Sequence, residues 1–159
     1  MINLAVVEDN YYALLALKEK LAHYDDMHIC YEASNGKDIV TWLSQNQQVD
    51  AILMDIEMPI LNGIEATLLI KSAYPKVKII MITIYDNDTY IFNAIKSGAD
   101  SYILKDTKAE KIYETILDTL AGGSVMSPSI AMKTLLLLKN LSNNTFSSAQ
   151  IEKYTLSER

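Results

Sequence analysis

Ala51-Ile52-Leu53-Met54-Asp55-Ile56-Glu57-Met58-Pro59 carries four apolar residues straight into an acid and then into a proline-closed loop, the pattern of a short buried strand with a carboxylate at its carboxyl end. In an open α/β sheet that edge is where ligands bind. A second apolar run, Leu4-Ala5-Val6-Val7, leads into Glu8-Asp9, so Glu8, Asp9 and Asp55 can converge on one edge. Held within a few ångströms without a counter-ion, these carboxylates repel and raise one another's pKa. The grouping therefore suits a hard, oxygen-preferring cation such as Mg²⁺.

On both sides of this strand the chain alternates between strand and helix patterns. Ile2 to Val7 reads as a buried strand, and Asn10 caps a helix with Leu14, Leu17 and Leu21 at helical spacing. Ile29 to Ala33 is a second strand. Asn35-Gly36 then turns the chain into a helix with Ile39, Trp42 and Leu43 inward, Trp42 being a packing residue. A loop through Pro59 and Gly63 leads to a helix over about 64–73, ended by Tyr74-Pro75. Val77 to Thr83, almost wholly β-branched or large apolar, has the character of a central strand covered on both faces. Asp86 or Asn87 caps the next helix, with Ile91, Ala94 and Ile95 inward, and Gly98 ends it. Ser101 to Leu104 is a fifth strand; Thr107 caps a last helix carrying Ile112, Ile116 and Leu120, closed by Gly122-Gly123. Five such units predict a flavodoxin-like, doubly wound (βα)5 parallel sheet in the order 2-1-3-4-5, whose switch point lies between the first and third strands. Glu8, Asp9 and Asp55 meet at that crevice.

A length of 159 residues suits one domain plus a short extension. The net charge of −6 argues against binding a phosphate backbone through this stretch, which would need clustered Lys and Arg. No apolar run approaches a membrane span, and the N-terminus enters a strand at once without a signal-peptide pattern. The single cysteine, Cys30, reads as a small apolar strand residue and fits a reducing cytoplasm. His23 and His28 lack neighbours at metal-ligand spacing and are assigned to the surface or a strand edge.

Two further polar residues, Thr83 and Lys105, fall at strand ends on the acidic edge. Together they complete an anion site. A hydroxyl donor, a point positive charge and a bound metal can offset the charge of a phosphoryl group carried by Asp55. Aspartate is a covalent acceptor in phosphoryl transfer, where positioning and electrostatic stabilisation supply most of the catalysis.

Residues 1 to about 121 resemble the receiver domain of a two-component response regulator. Glu8-Asp9 resembles that family's acidic pair, Asp55 its phosphoacceptor, Met58-Pro59 and Gly63 its loop after the third strand, Thr83 its switch hydroxyl, Tyr102 its switch aromatic and Lys105 its lysine. The resemblance implies that Asp55 takes a phosphoryl group from a sensor histidine kinase. It further implies Mg²⁺ held by Asp9, Asp55 and the backbone carbonyl of Glu57, and by Glu8 through water. Thr83 drawn toward the phosphoryl group would vacate space for the ring of Tyr102. One position departs from the pattern: the residue after Thr83, commonly small in this family, is Ile84, whose bulk bears on the approach of donors and water.

The stretch Ala121-Gly122-Gly123-Ser124-Val125-Met126-Ser127-Pro128 resembles the junction after the receiver in NarL/FixJ-type transcription regulators, with Ser127 as cap and Pro128 as the first residue of a linker helix. Asn140 to Gln150 reads as a flexible tether, and Leu156-Ser157-Glu158-Arg159 resembles the opening of a LuxR-type helix-turn-helix domain. The organisation expected is a receiver over 1–121, a linker with one helix over 122–154, and the first residues of a missing DNA-binding domain over 155–159. Promoter DNA would be bound through that missing part alone. The Leu135-Leu136-Leu137-Leu138 run needs a cover, either its own receiver, a second protomer or the effector domain. Tyr11, Tyr12 and Leu15 on the first helix, Tyr113 and Leu117 on the helix from Thr107, or the helix after Pro128 offer apolar surface for a homodimer strengthened by phosphorylation. A cytoplasmic transcriptional switch follows. The alternatives are a stand-alone receiver acting by protein contact, and a Mg²⁺-dependent phosphohydrolase of the haloacid-dehalogenase type. The latter class carries Asp-x-Asp after its first strand, which Glu8-Asp9-Asn10 does not match.

Overall fold

Five apolar runs form five parallel strands in a computed structural model that describes residues 1–145: β1 (Ile2–Val7), β2 (Met27–Ala33), β3 (Ala51–Met54), β4 (Lys78–Thr83) and β5 (Ser101–Leu104). They lie in the expected order β2-β1-β3-β4-β5. Between and after them run α1 (Tyr11–Leu21), α2 (Gly36–Ser44), α3 (Gly63–Ala73), α4 (Asp88–Lys96), α5 (Ala109–Leu120) and α6 (Pro128–Thr145). Successive strand residues point to opposite faces, so the sheet carries two cores. Val7, Ile52, Met54 and Met81 pack with Ile39, Ala66, Ile70 and Ile91 of α2, α3 and α4. On the opposite face, Val6, Leu53, Ile80 and Ile82 pack with Leu17, Leu21, Ile112 and Ile116 of α1 and α5. Pairing of Val7 with Met54 brings the carboxyl ends of β1 and β3 level, which sets Glu8 beside Asp55.

Asparagines start α1 to α4: the side chains of Asn10, Asn35, Asn62 and Asn87 each accept from a backbone N–H of the first turn. Asn62 and Glu65 complete a capping box. Thr107 does not cap α5 as expected. Its hydroxyl donates to Leu104 O, the N-cap position falls on Lys108, and no side chain caps that helix. Threonine hydroxyls compete between capping and local turns, and here the turn after β5 takes it.

The loop from β3 to α3 contains a sharp reversal. Leu61 N–H donates to Pro59 O at 2.8 Å around Ile60, whose φ is +71°. A β-branched residue there is strained, and Ile60 is 75 % exposed, so its side chain gains little burial in return. Ile60→Gly is expected to stabilise the fold by about 1 kcal/mol, the relief of strain exceeding the entropy glycine adds to the unfolded chain. Chemical denaturation tests this, and a lower midpoint would show that the turn is unstrained.

After α5 the chain runs beside β5. Tyr102 N–H donates to Val125 O at 2.9 Å, Ser127 N–H to Tyr102 O at 3.3 Å, and Leu104 N–H to the Ser127 hydroxyl at 3.3 Å. The Ser127 side chain thus serves β5 and not the start of α6, although Pro128 opens that helix as expected. Ile130 is fully buried, Leu137 packs on the same core, and Lys133 donates to Asp86 O at 2.6 Å ahead of α4. The α/β domain therefore covers one face of α6. Met132, Leu135, Leu136 and Leu138 remain exposed.

The tether expected from Asn140 onward is helical as far as Thr145, because extending an established helix costs far less than nucleating one. The remainder of that tether, and the Leu156–Arg159 motif, lie outside the described residues. Ile130→Ala should cost about 2–4 kcal/mol, concentrated in α6. Amide exchange in α6 should accelerate at least tenfold while β3 and β4 keep their protection, and uniform acceleration would show that α6 is not a separable unit.

Candidate functional site

The backbone ladder continues one residue past β1 and β3, with Glu8 N–H donating to Ala33 O at 2.9 Å and Asp55 N–H to Val7 O at 3.0 Å. Both residues are thereby fixed at the carboxyl edge with their side chains buried, and Asp9 beside them is exposed. Glu8, Asp9 and Asp55 each bring a carboxylate oxygen to within 4.8 Å of the others. Lys105 reaches into this group from the end of β5. Its ammonium lies 2.8 Å from Glu8 Oε2 and 2.9 Å from Asp55 Oδ2. Ile56 N–H donates to Asp55 Oδ1 at 2.8 Å, and Asn10 N–H to Glu8 Oε1 at 3.1 Å.

Gly63 lets the floor of the site close. A Cβ on this residue would stand 1.8 Å from Asp55 O, and Gly63 N–H donates to Ile56 O at 2.8 Å. No residue with a side chain fits that approach.

Burial raises the Glu8 carboxyl to about 7; Asp55 adds to the rise, and Lys105 opposes it. Burial alone would lower the Lys105 ammonium, but hydrogen bonds to Glu8 and Asp55 outweigh it and the pKa rises. Three acidic side chains thus gather here, two of them on the Lys105 ammonium, and they offer oxygen donors alone. The charge surplus and the donor chemistry fit a hard divalent cation.

Thr83 ends β4, wholly buried; its Oγ1 accepts from Tyr85 N–H at 3.3 Å, and its carbonyl accepts from Lys105 N–H at 2.9 Å. Tyr102 lies on the next strand and outside the acidic group. Its ring is 1 % exposed and already inside, with the hydroxyl donating to Tyr85 O at 2.6 Å. Burial, then the charges of Asp86 and Asp55, push that phenol above its ordinary range. Glu57 stands two residues past Asp55 with an exposed side chain, and Ile84 is also exposed.

Sequence reasoning missed Lys20. Its ammonium crosses from α1 to the carbonyls of Lys105, at 3.2 Å, and Thr107, at 2.9 Å. A lysine at the margin of the Leu14, Leu17, Leu21 stripe was the available sign, because such side chains lay their stems along apolar surface and carry the charge to its edge.

The fold and site define a class: a doubly wound α/β protein whose switch-point carboxylates form an oxygen-only pocket bridged by a lysine. The chain belongs to the response regulator receiver domain family, whose model matches residues 4–117. It is 34 % identical over 132 residues to the response regulator protein VraR of Staphylococcus epidermidis, covering 83 % of this chain and 63 % of that one. To the uncharacterized transcriptional regulatory protein YxjL of Bacillus subtilis it is 35 % identical over 133 residues, covering 84 % and 61 %. The chain thus spans less than two thirds of the length of these relatives. A LuxR-family two-component response regulator from Aurantimonas shares the fold, with a TM-score of 0.75 at 24 % identity over 82 % of this chain and 93 % of that one. Among the described residues no helix is long and apolar enough to cross a membrane.

Proposed function

We propose that Asp55 is the phosphoacceptor of this receiver and that its phosphorylation state controls transcription through a DNA-binding domain joined after α6. The observation that carries the reading is the setting of the Asp55 carboxylate, between Ile56 N–H and the Lys105 ammonium and against Glu8 and Asp9. An Asp55 oxygen attacks phosphorus of a phosphohistidine on a sensor histidine kinase. The P–N bond breaks, the imidazole nitrogen leaves with the electron pair, and an acyl phosphate forms on Asp55. On this reading Lys105 and Thr83 meet the phosphoryl oxygens. Asp9, Asp55, the Glu57 carbonyl and Glu8 would hold Mg²⁺, which supplies charge neutralisation when bound.

Readout runs through Thr83 and Tyr102. The Tyr102 ring is held to the loop after β4 by its hydroxyl, and its backbone pairs with Val125 and Ser127, so one residue joins that loop to the start of the linker. Exposed apolar surface is offered to a second copy by Tyr11, Tyr12, Leu15 and Leu117 of α1 and α5 and by Met132, Leu135, Leu136 and Leu138 of α6. Tyr113 is engaged otherwise, stacked on Tyr24 at 4.0 Å with its hydroxyl on Asp26. The organisation remains a receiver over 1–121, a linker over 122–154 and the opening of a helix-turn-helix over 155–159, in a cytoplasmic regulator.

Thr83→Ala should still take a phosphoryl group at Asp55 yet lose its effect on self-association and promoter binding in the full-length protein, a coupling worth about 1–3 kcal/mol. Phosphorylated T83A that dimerises as wild type does would rule out this route. Against the phosphohydrolase alternative, a phosphate ester supplied in excess should not be turned over continuously.

A further inference from the structure

The β5–α5 turn holds the residue that touches the acceptor; Thr107 N–H and its hydroxyl close the turn on Leu104 O, and the rest of its support comes from outside the turn. Lys105 N–H is bound to Thr83 O on β4 and Lys105 O to the Lys20 ammonium on α1, so the peptide flanks of Lys105 are gripped from two elements. Lys20 bonds Thr107 O as well, one residue before the N-cap position of a helix that has no side-chain cap. The Thr107 hydroxyl is occupied on Leu104 O. Lys20 also lines a cavity of about 80 Å³ shared with Glu8 and Lys105. Its ammonium is thus a strut across the back of the acidic pocket, in contact with the backbone that sets where the Lys105 side chain begins.

We propose that Lys20 is a positioning residue for phosphoryl transfer: it fixes the β5–α5 turn so that Lys105 reaches the Asp55 carboxylate. The proposal rests on the reading of Asp55 as the phosphoacceptor. A side chain acting through Lys105 should affect the maximal rate and not the capture of donor, and its loss should be invisible once Lys105 is gone.

The test follows phosphorylation by acetyl phosphate with Mg²⁺ in wild type, K20M, K20R, K105M and the K20M/K105M pair, with folding checked by circular dichroism. K20M is expected to lower the maximal rate about tenfold, an effect in keeping with small misplacements of a catalytic group, with the half-saturating donor concentration within about twofold of wild type. K20R, which retains donors for both carbonyls, should recover most of the rate. K20M added to K105M should cause no further loss, and amide exchange at Lys105 and Thr107 should quicken in K20M without donor present. A wild-type rate in K20M, a loss that multiplies with K105M, or a failure of K20R to recover would each overturn the proposal. Failure of wild type itself to accept a phosphoryl group would instead overturn the phosphoacceptor reading, and this inference with it.

Discussion

Asp55→Asn should reduce phosphoryl uptake by more than about a hundredfold while leaving the fold intact. The substitution keeps the shape of the side chain, and the amide oxygen can still accept from Ile56 N–H, as Asp55 Oδ1 does at 2.8 Å. What is lost is the nucleophilic carboxylate. One negative charge also leaves a group in which Glu8, Asp9 and Asp55 lie close together and the Lys105 ammonium meets two of them, so stability should stay within about 1 kcal/mol of wild type or rise. Thermal unfolding and incorporation of phosphate from a small donor measure the two effects separately. A D55N protein that still takes up phosphate at the normal rate would remove Asp55 from its assigned role.

Gly63→Ala is the second large effect, and it acts on structure first. The added methyl would stand 1.8 Å from Asp55 O, 2.8 Å from Asp55 C and 3.0 Å from Met54 Cγ. Two of these three are backbone atoms of Asp55 and cannot turn aside as the end of a side chain can. Relief requires the start of α3 and the end of β3 to separate, which also strains the Gly63 N–H bond to Ile56 O. Overpacking of this kind costs about 3 kcal/mol or more, a fall of roughly 10 °C in Tm for a domain of this size. Because Asp55 moves with the strain, phosphorylation should slow by about a hundredfold even where the variant is folded. Wild-type melting together with a wild-type rate would show that the loop yields at no cost.

Much of the architecture was legible in the sequence because its signals are local. Apolar runs ending in Glu8-Asp9, Asp55, Thr83 and Lys105 located the carboxyl edge of the sheet, and parallel pairing then brings Val7 level with Met54 and Thr83 with Leu104. The caps at Asn10 and at Asn87, the latter as one of two candidates, were readable for the same reason, each acting within its own first turn, while those at Asn35 and Asn62 emerge only in the structure. What escaped depends on partners distant in sequence. Lys20 meets Lys105 and Thr107 across 85 and 87 positions, a pairing set by how α1 packs against α5. Thr107 was misassigned because capping and turn bonding are both within reach of one hydroxyl, and the choice lies in the geometry of the β5 exit. The seat of α6 was open for a similar reason: the leucine run marks an apolar helix, but Ile130, Lys133 and the pairing of Val125 and Ser127 with Tyr102 decide which face is covered.

Tyr102 shows how far a sequence can place a side chain. Its place on β5 was readable, but the state of its ring was not, because buried and exposed rotamers share one backbone. The ring lies inside and is anchored on Tyr85 O. Phosphorylation would then favour an arrangement that this protein already adopts, a population shift and not a new fold.

The most direct measurement of the central claim is the stoichiometry and location of phosphate on the wild-type chain. The protein is incubated with acetyl phosphate, with Mg²⁺ or with a chelator, and its intact mass and fragment masses are recorded. The account expects one phosphoryl group per chain, on Asp55, dependent on the metal and released by base. No adduct, an adduct on another residue, or an adduct formed equally well in the chelator would contradict it.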